Sequence, residues 1–244
     1  MERKPERIGR IINEHYNWEQ FMNYVSSEKM ELVRPISTPE ELKSHIDFII
    51  QLAGNKFKLT PGIEKILPGL IYYFNGQHEK ALAAGMDTCK GLAIIGNFGV
   101  GKTILLQVMH DYLRKLSPAT PNQFWITSTD AIIESMIAGN YADSVCFNNT
   151  KIGSNNERIK KPIHICLNEF GVQYDIKQYG SSIDDLFDSM LMRRYEIFQQ
   201  FGKVTHITSN MGLDDWEDRF NARLVDRFKE MFNIVVLTGK SFRK

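Results

Sequence analysis

The 244 residues include only three cysteines, Cys89, Cys146 and Cys166, and no two of them form a CxxC pair. That spacing excludes a disulfide framework and a clustered zinc site, and it leaves free thiols in a reducing compartment. No apolar run approaches the roughly 20 residues of a membrane span. The first ten residues, MERKPERIGR, contain no apolar core of a secretory signal. A cytoplasmic protein with no membrane partner is the expectation. A surplus of either charge is also missing: 30 basic residues face 29 acidic ones, for a formal net of +1. This balance argues against coating nucleic acid by bulk electrostatics, although a local basic groove stays compatible with it. Repeats and low-complexity tracts are absent. What is present is a chain 43% hydrophobic, able to bury a sizeable core. Its length fits one large α/β domain with an appendage, or two small domains.

Helical periodicity dominates the first ~85 residues. Ile8, Ile11, Ile12, Trp18, Phe21, Met22 and Val25 suggest a helix over 6–26. A second opens at STPEELKSHIDFIIQLA, with Thr38 as N-cap, Pro39 as first helical residue and Glu41 closing a capping box. LTPG then opens a third through Ile63, Ile66 and Leu70. Beyond this the rhythm changes. Short apolar runs, GLAII (91–95), FWIT (124–127), IHICL (163–167), VTHIT (204–208) and IVVLT (234–238), alternate with helical segments. The clearest helix is SIDDLFDSMLMRRYEIF, with Ser182 as its cap. Five strands alternating with helices predict an α/β fold, a mostly parallel sheet covered on both faces. The polar stretch FNNTKIGSNNERIKK (147–161) reads as a loop.

The first apolar run leads into GNFGVGKT, which fits the G-x-x-x-x-G-K-[ST] pattern of a P-loop. The loop comprises Gly96, Asn97, Phe98, Gly99, Val100, Gly101, Lys102 and Thr103. Glycines let the backbone curl around an anion, and N–H groups at the start of the next helix point at it. Lys102 is expected to reach the β- and γ-phosphates and Thr103 to place its hydroxyl on magnesium. GTPases, nucleotide kinases and AAA+ ATPases share this loop. No N-K-x-D guanine reader follows it, which disfavours GTP and leaves ATP with Mg2+ as the expected ligands.

ICLNEFG, residues 165–171, ends the third strand. A parallel sheet gathers its ligands at the carboxyl ends of its strands, so Asn168 and Glu169 should face the phosphates. Glu169 is the candidate to orient or activate the attacking water. Asn168 stands where an aspartate would help hold magnesium. The next strand ends VTHITSN, where Ser209 or Asn210 could hydrogen-bond that water or the γ-phosphate. In WEDRFNARLVDRFKEMF, Arg219, Arg223 and Arg227 are four apart, a spacing that puts them on one face of a helix. They form either a solvated face paired with Asp215, Asp218 and Glu230 or a source of arginine for a neighbouring subunit's nucleotide.

Together these segments resemble the bacterial replicative-helicase loaders of the DnaC and DnaI type and the transposition helper IstB, all AAA+ ATPases. NEFGVQ, TSNM, RLVDRF and GKSFR carry the resemblance, which covers roughly residues 60–244. It implies a five-stranded AAA+ core with the P-loop strand central and without a full lid domain. Arg227, after Asp226, falls at the arginine-finger position, and Arg223 matches the other arginine of that segment. Arg243 matches a terminal arginine that in the family contacts nucleotide or a neighbour. The family assembles as ATP-dependent homo-oligomers, binds single-stranded DNA, and engages a replicative helicase or, for IstB, a transposase. By position alone, residues 1–60 become a helical partner-binding region and 61–244 the ATPase domain. The departure at Asn168 removes a charge. A neutral acceptor in place of a carboxylate forfeits about 1–2 kcal/mol of magnesium-nucleotide stabilisation, or roughly 5- to 30-fold. Slow hydrolysis follows as the expectation.

Overall fold

The computed structural model describes residues 30, 32–56, 58–137, 147–152, 157–171, 183–220, 222–239 and 241. The expected helix over 6–26, Cys146, Ser182 and Arg243 lie outside them.

Three helices lead in. α1 (Pro39–Ala53) starts as its sequence dictates: the Thr38 hydroxyl accepts the Glu41 N–H (3.2 Å), and the Glu41 carboxylate accepts the N–H groups of Ser37 (2.5 Å) and Thr38 (3.2 Å). These two backbone donors hold the Glu41 carboxyl below its ordinary range. α2 (Pro61–Phe74) is capped by Thr60, whose hydroxyl accepts the Ile63 N–H (3.3 Å). α3 (His78–Ala83) follows. Then come β1 (Gly91–Ile95), α4 (Lys102–Leu116), β2 (Phe124–Ser128) and α5 (Thr129–Ile137). β3 (Phe147–Ile152), β4 (Glu157–Pro162), β5 (His164–Phe170) and α6 (Ile183–Phe201) come next. β6 (Thr205–Ser209), α7 (Leu213–Arg219), α8 (Ala222–Met231) and β7 (Phe232–Val236) complete the order.

Five strands form one parallel sheet in the order β2-β5-β6-β1-β7. Alternation along β1 divides the core in two. Leu92 and Ile94 face a cluster built from α1, α2, α3 and α4. Ala93 and Ile95 face a second, built from Ile132 of α5 and from α6, α7 and α8. Helices therefore cover both faces, as the alternation of strands and helices predicts. β1 lies one strand in from the edge rather than at the centre, because β7 alone flanks it on one side. Deep in the sheet, His206 and His164 use their Nδ1 atoms to accept the backbone N–H groups of Leu92 (3.2 Å) and Val204 (3.0 Å). Burial, then the nearby Arg194 charge, push His206 down to about 3. Burial, with Lys203 next, takes His164 well below the usual histidine range.

Two further sequence expectations are corrected. Residues 147–161 are not simply a loop: β3 and β4 pair as an antiparallel ribbon from Phe147↔Pro162 to Ile152↔Glu157. Cross-strand backbone pairing makes it, where the polar composition offers no apolar alternation to signal it. Arg219 shares no helix with Arg223 and Arg227. The chain is extended at Phe220 (φ −103°, ψ 154°), whose buried ring stacks on Phe170 at 5.6 Å between centroids. Burying that aromatic splits the expected single helix into α7 and α8.

α1 is tied to the P-loop helix by a buried polar link. Asn75 Nδ2 donates to the Tyr112 hydroxyl (2.6 Å), which hydrogen-bonds His45 Nδ1 (2.6 Å). Burial raises the Tyr112 phenol to about 12. Among the described residues no helix is long and apolar enough to cross a membrane.

Candidate nucleotide site

The carboxyl ends of β1, β5 and β6 meet at one edge of the sheet, where a parallel α/β fold places its ligands. GNFGVGKT links β1 to α4. Gly101 adopts a left-handed backbone (φ 98°) as the loop turns into the helix. A Cβ on Gly96 would collide with the Leu237 carbonyl oxygen, so that close approach also requires glycine. Val100 is buried, whereas the Phe98 ring is 66% exposed at the loop's rim.

A cavity of about 370 Å³ opens over this loop. It brings together seven of the residues expected from sequence: Phe98, Gly99, Gly101, Lys102, Thr103, Glu169 and Asn210. Lys102 Nζ donates to the carbonyls of Gly96 (2.6 Å) and Asn97 (2.8 Å) and to Asn210 Oδ1 (2.6 Å). Ser209 and Asn210, the two candidates at the end of β6, are placed differently. Asn210 lines the cavity, and the buried Ser209 hydroxyl accepts the Met211 N–H (3.0 Å).

Asn168 sits directly behind Thr103. Its Oδ1 accepts the hydroxyls of Thr103 (2.7 Å) and Thr208 (2.8 Å), and its backbone carbonyl accepts the Thr129 hydroxyl (2.8 Å). Glu169 adopts a left-handed backbone (φ 59°), and β5 loses its regular register with β6 between Leu167 and Phe170. Downstream, Arg219 Nη1 donates to the Gly171 carbonyl (2.6 Å) and anchors the turn that follows Glu169.

This is a P-loop nucleotide-binding fold. No family model matches the chain, and no curated protein matches it. Solved structures do resemble it. The crystal structure of the DnaC helicase loader is 17% identical over 75% of this chain and 95% of that one, with a TM-score of 0.49. The DnaI crystal structure is 18% identical over 88% and 92%, with a TM-score of 0.42. The replication initiator DnaA bound to AMPPCP and single-stranded DNA is 16% identical over 76% and 49%, with a TM-score of 0.43. At these levels the likeness carries no argument about the site, which rests on its own geometry.

Three cavity residues escape sequence reasoning. Ile104 follows the motif directly, while Asn55 and Lys58 come from the segment between α1 and α2. No motif marks Asn55 or Lys58; their segment comes to the loop through tertiary packing, with α1 against α4 and α2 against α1. Conversely, Arg223 and Arg227 lie on α8 and do not line the cavity. Arg227 Nη1 pairs with Asp226 (3.3 Å) and Glu230 (3.4 Å), and its guanidinium lies over the Tyr195 ring at 4.8 Å.

The residues present are compatible with a magnesium ion. Thr103 spends its proton on Asn168, which leaves the hydroxyl lone pairs for a cation. Glu169 is a carboxylate on the same cavity. No cluster of three acidic, histidine or cysteine ligands exists among the described residues, so the cation would depend on phosphate oxygens and water, as magnesium commonly does.

Proposed function

We propose that this chain binds ATP with magnesium and hydrolyses it slowly, as an AAA+ protein of the helicase-loader type that assembles on single-stranded DNA. The observation that carries the reading is the convergence of Lys102, Thr103, Glu169 and Asn210 on one cavity. Lys102 holds the β- and γ-phosphates, exchanging its carbonyl partners for phosphate oxygens. Backbone N–H groups at the start of α4 face the same anion. Magnesium, held through Thr103 with Asn168 behind it, would offset phosphate charge. Glu169 accepts a proton from the attacking water, and Asn210 orients that water or the γ-phosphate. Asn168 supplies an acceptor of the right shape but no charge, which is why turnover is slow and ATP serves mainly to assemble subunits. Arg227, with Arg223 beside it, is supplied to a neighbouring subunit's nucleotide. Arg243 contacts nucleotide or that neighbour.

The β3–β4 ribbon supports the DNA part. Its paired segments, FNNTKI and ERIKKP, carry four basic residues, Lys151, Arg158, Lys160 and Lys161, on a chain of nearly balanced charge. Residues 1–60 engage the partner protein, a replicative helicase. An IstB-like role with a transposase, or an ATP-gated scaffold with negligible hydrolysis, is the second reading, favoured by the neutral Asn168.

ATP turnover with and without single-stranded DNA tests this for the wild type, Lys102→Ala and Glu169→Gln. A DNA-stimulated rate lost in both variants is expected. ATP binding without turnover in the wild type selects the scaffold, and no binding at all overturns the proposal.

A further inference from the structure

We propose that Thr208 is a positioning residue for Glu169, a role that rests on the hydrolysis reading above. Glu169 is the only non-glycine residue with a positive φ (59°) among the described residues. A side chain in this backbone region is crowded by its own carbonyl, so the conformation persists only where surroundings impose it. The imposing contacts are identifiable. Between Leu167 and Phe170 the β5–β6 pairing is irregular, and the Glu169 N–H donates to the Thr208 hydroxyl instead (2.9 Å). The same hydroxyl donates to Asn168 Oδ1 (2.8 Å), so one buried oxygen clamps both residues of the bulge. Thr129 fixes the Asn168 carbonyl (2.8 Å). Bulges re-aim side chains at functional sites, and this one presents Glu169 to the cavity. Thr208 does not line the cavity itself. It acts through Glu169, and through Asn168 it shares a hydrogen-bond chain with Thr103 of the P-loop.

Thr208→Val keeps the branched shape and removes the hydroxyl; Thr208→Ser keeps the hydroxyl. Thr208→Cys, with a weakly bonding sulfur, is the second variant should valine not fold. Single-turnover ATP hydrolysis and nucleotide Kd are measured for each, alone and in a Glu169→Gln background. The expected result is a loss of about ten- to a hundredfold in hydrolysis for valine, with Kd within about twofold. Serine restores the rate, cysteine falls between, and valine adds nothing to Glu169→Gln. An unchanged rate, a parallel loss of nucleotide binding, or an equal effect without Glu169 overturns the role of Thr208 while leaving the hydrolysis reading intact. A wild type that does not hydrolyse ATP overturns both, and that is read from the wild type alone.

Discussion

Asn168→Asp isolates the charge missing from the site. Asn168 Oδ1 already receives two hydroxyl protons, from Thr103 at 2.7 Å and Thr208 at 2.8 Å, so an aspartate of the same shape inherits both bonds without rearrangement. A hydrogen bond to a charged acceptor is worth about 1.5–3 kcal/mol, against about 0.5–1.5 for a neutral one. The Thr103 bond matters most, since a carboxylate there makes that hydroxyl a better magnesium ligand. Counting that bond alone, the gain is about 1–2 kcal/mol, or roughly 5- to 30-fold in magnesium affinity of the nucleotide complex. The assay is ATP turnover against magnesium concentration at saturating ATP. The midpoint should fall by that factor and the plateau rate should rise. An unchanged midpoint and plateau would falsify the claim that the neutral side chain limits the site.

Three further outcomes are expected. The folded pKa of His206 is depressed, so below pH 6.5 the unfolded chain takes up a proton that the folded chain refuses. Stability is therefore lost as pH falls from 6.5 towards 3. Urea unfolding at pH 5 should show a loss of about 2 kcal/mol from this residue relative to pH 7, with His164 acting in the same direction, and His206→Gln should flatten the slope. Replacing Lys151, Arg158 and Lys160 together by alanine should weaken single-stranded DNA binding and reduce the salt slope by about 2; an unchanged slope removes the ribbon from the DNA surface. Tyr112→Phe strips the hydroxyl between Asn75 and His45 and should cost about 1–3 kcal/mol in chemical unfolding.

The site was legible in the sequence wherever its residues are local or fall at strand ends. GNFGVGKT carries its own geometry, and the strand rule is enough to bring Glu169 and Asn210 to it. Features created by tertiary contacts left no such trace. Asn55 and Lys58 reach the cavity because α1 packs on α4 and α2 on α1. Arg219 leaves the expected arginine face because the Phe220 ring enters the core. Glutamate is an ordinary residue for a strand end, so nothing in ICLNEFG announces a left-handed backbone. The cause lies on another strand, in the Thr208 hydroxyl. The β3–β4 ribbon lacked the apolar alternation by which strands are found, and its pairing is visible only once both strands are side by side.

A single residue, Ile163, separates Pro162 at the end of β4 from His164 at the start of β5. The ribbon is thus a handle on the very strand that carries Asn168 and Glu169 near its far end. From His164 to Glu169 an extended strand runs about 17 Å, clamped on both sides by hydrogen bonds to β2 and β6. Any force on the ribbon reaches β5 through the backbone of Ile163. The strand's regular register is interrupted on the β6 side between Leu167 and Phe170, while β2 stays paired as far as Asn168. That interruption holds Glu169, with its left-handed backbone, so the ribbon and the residue facing the cavity lie at opposite ends of one strand.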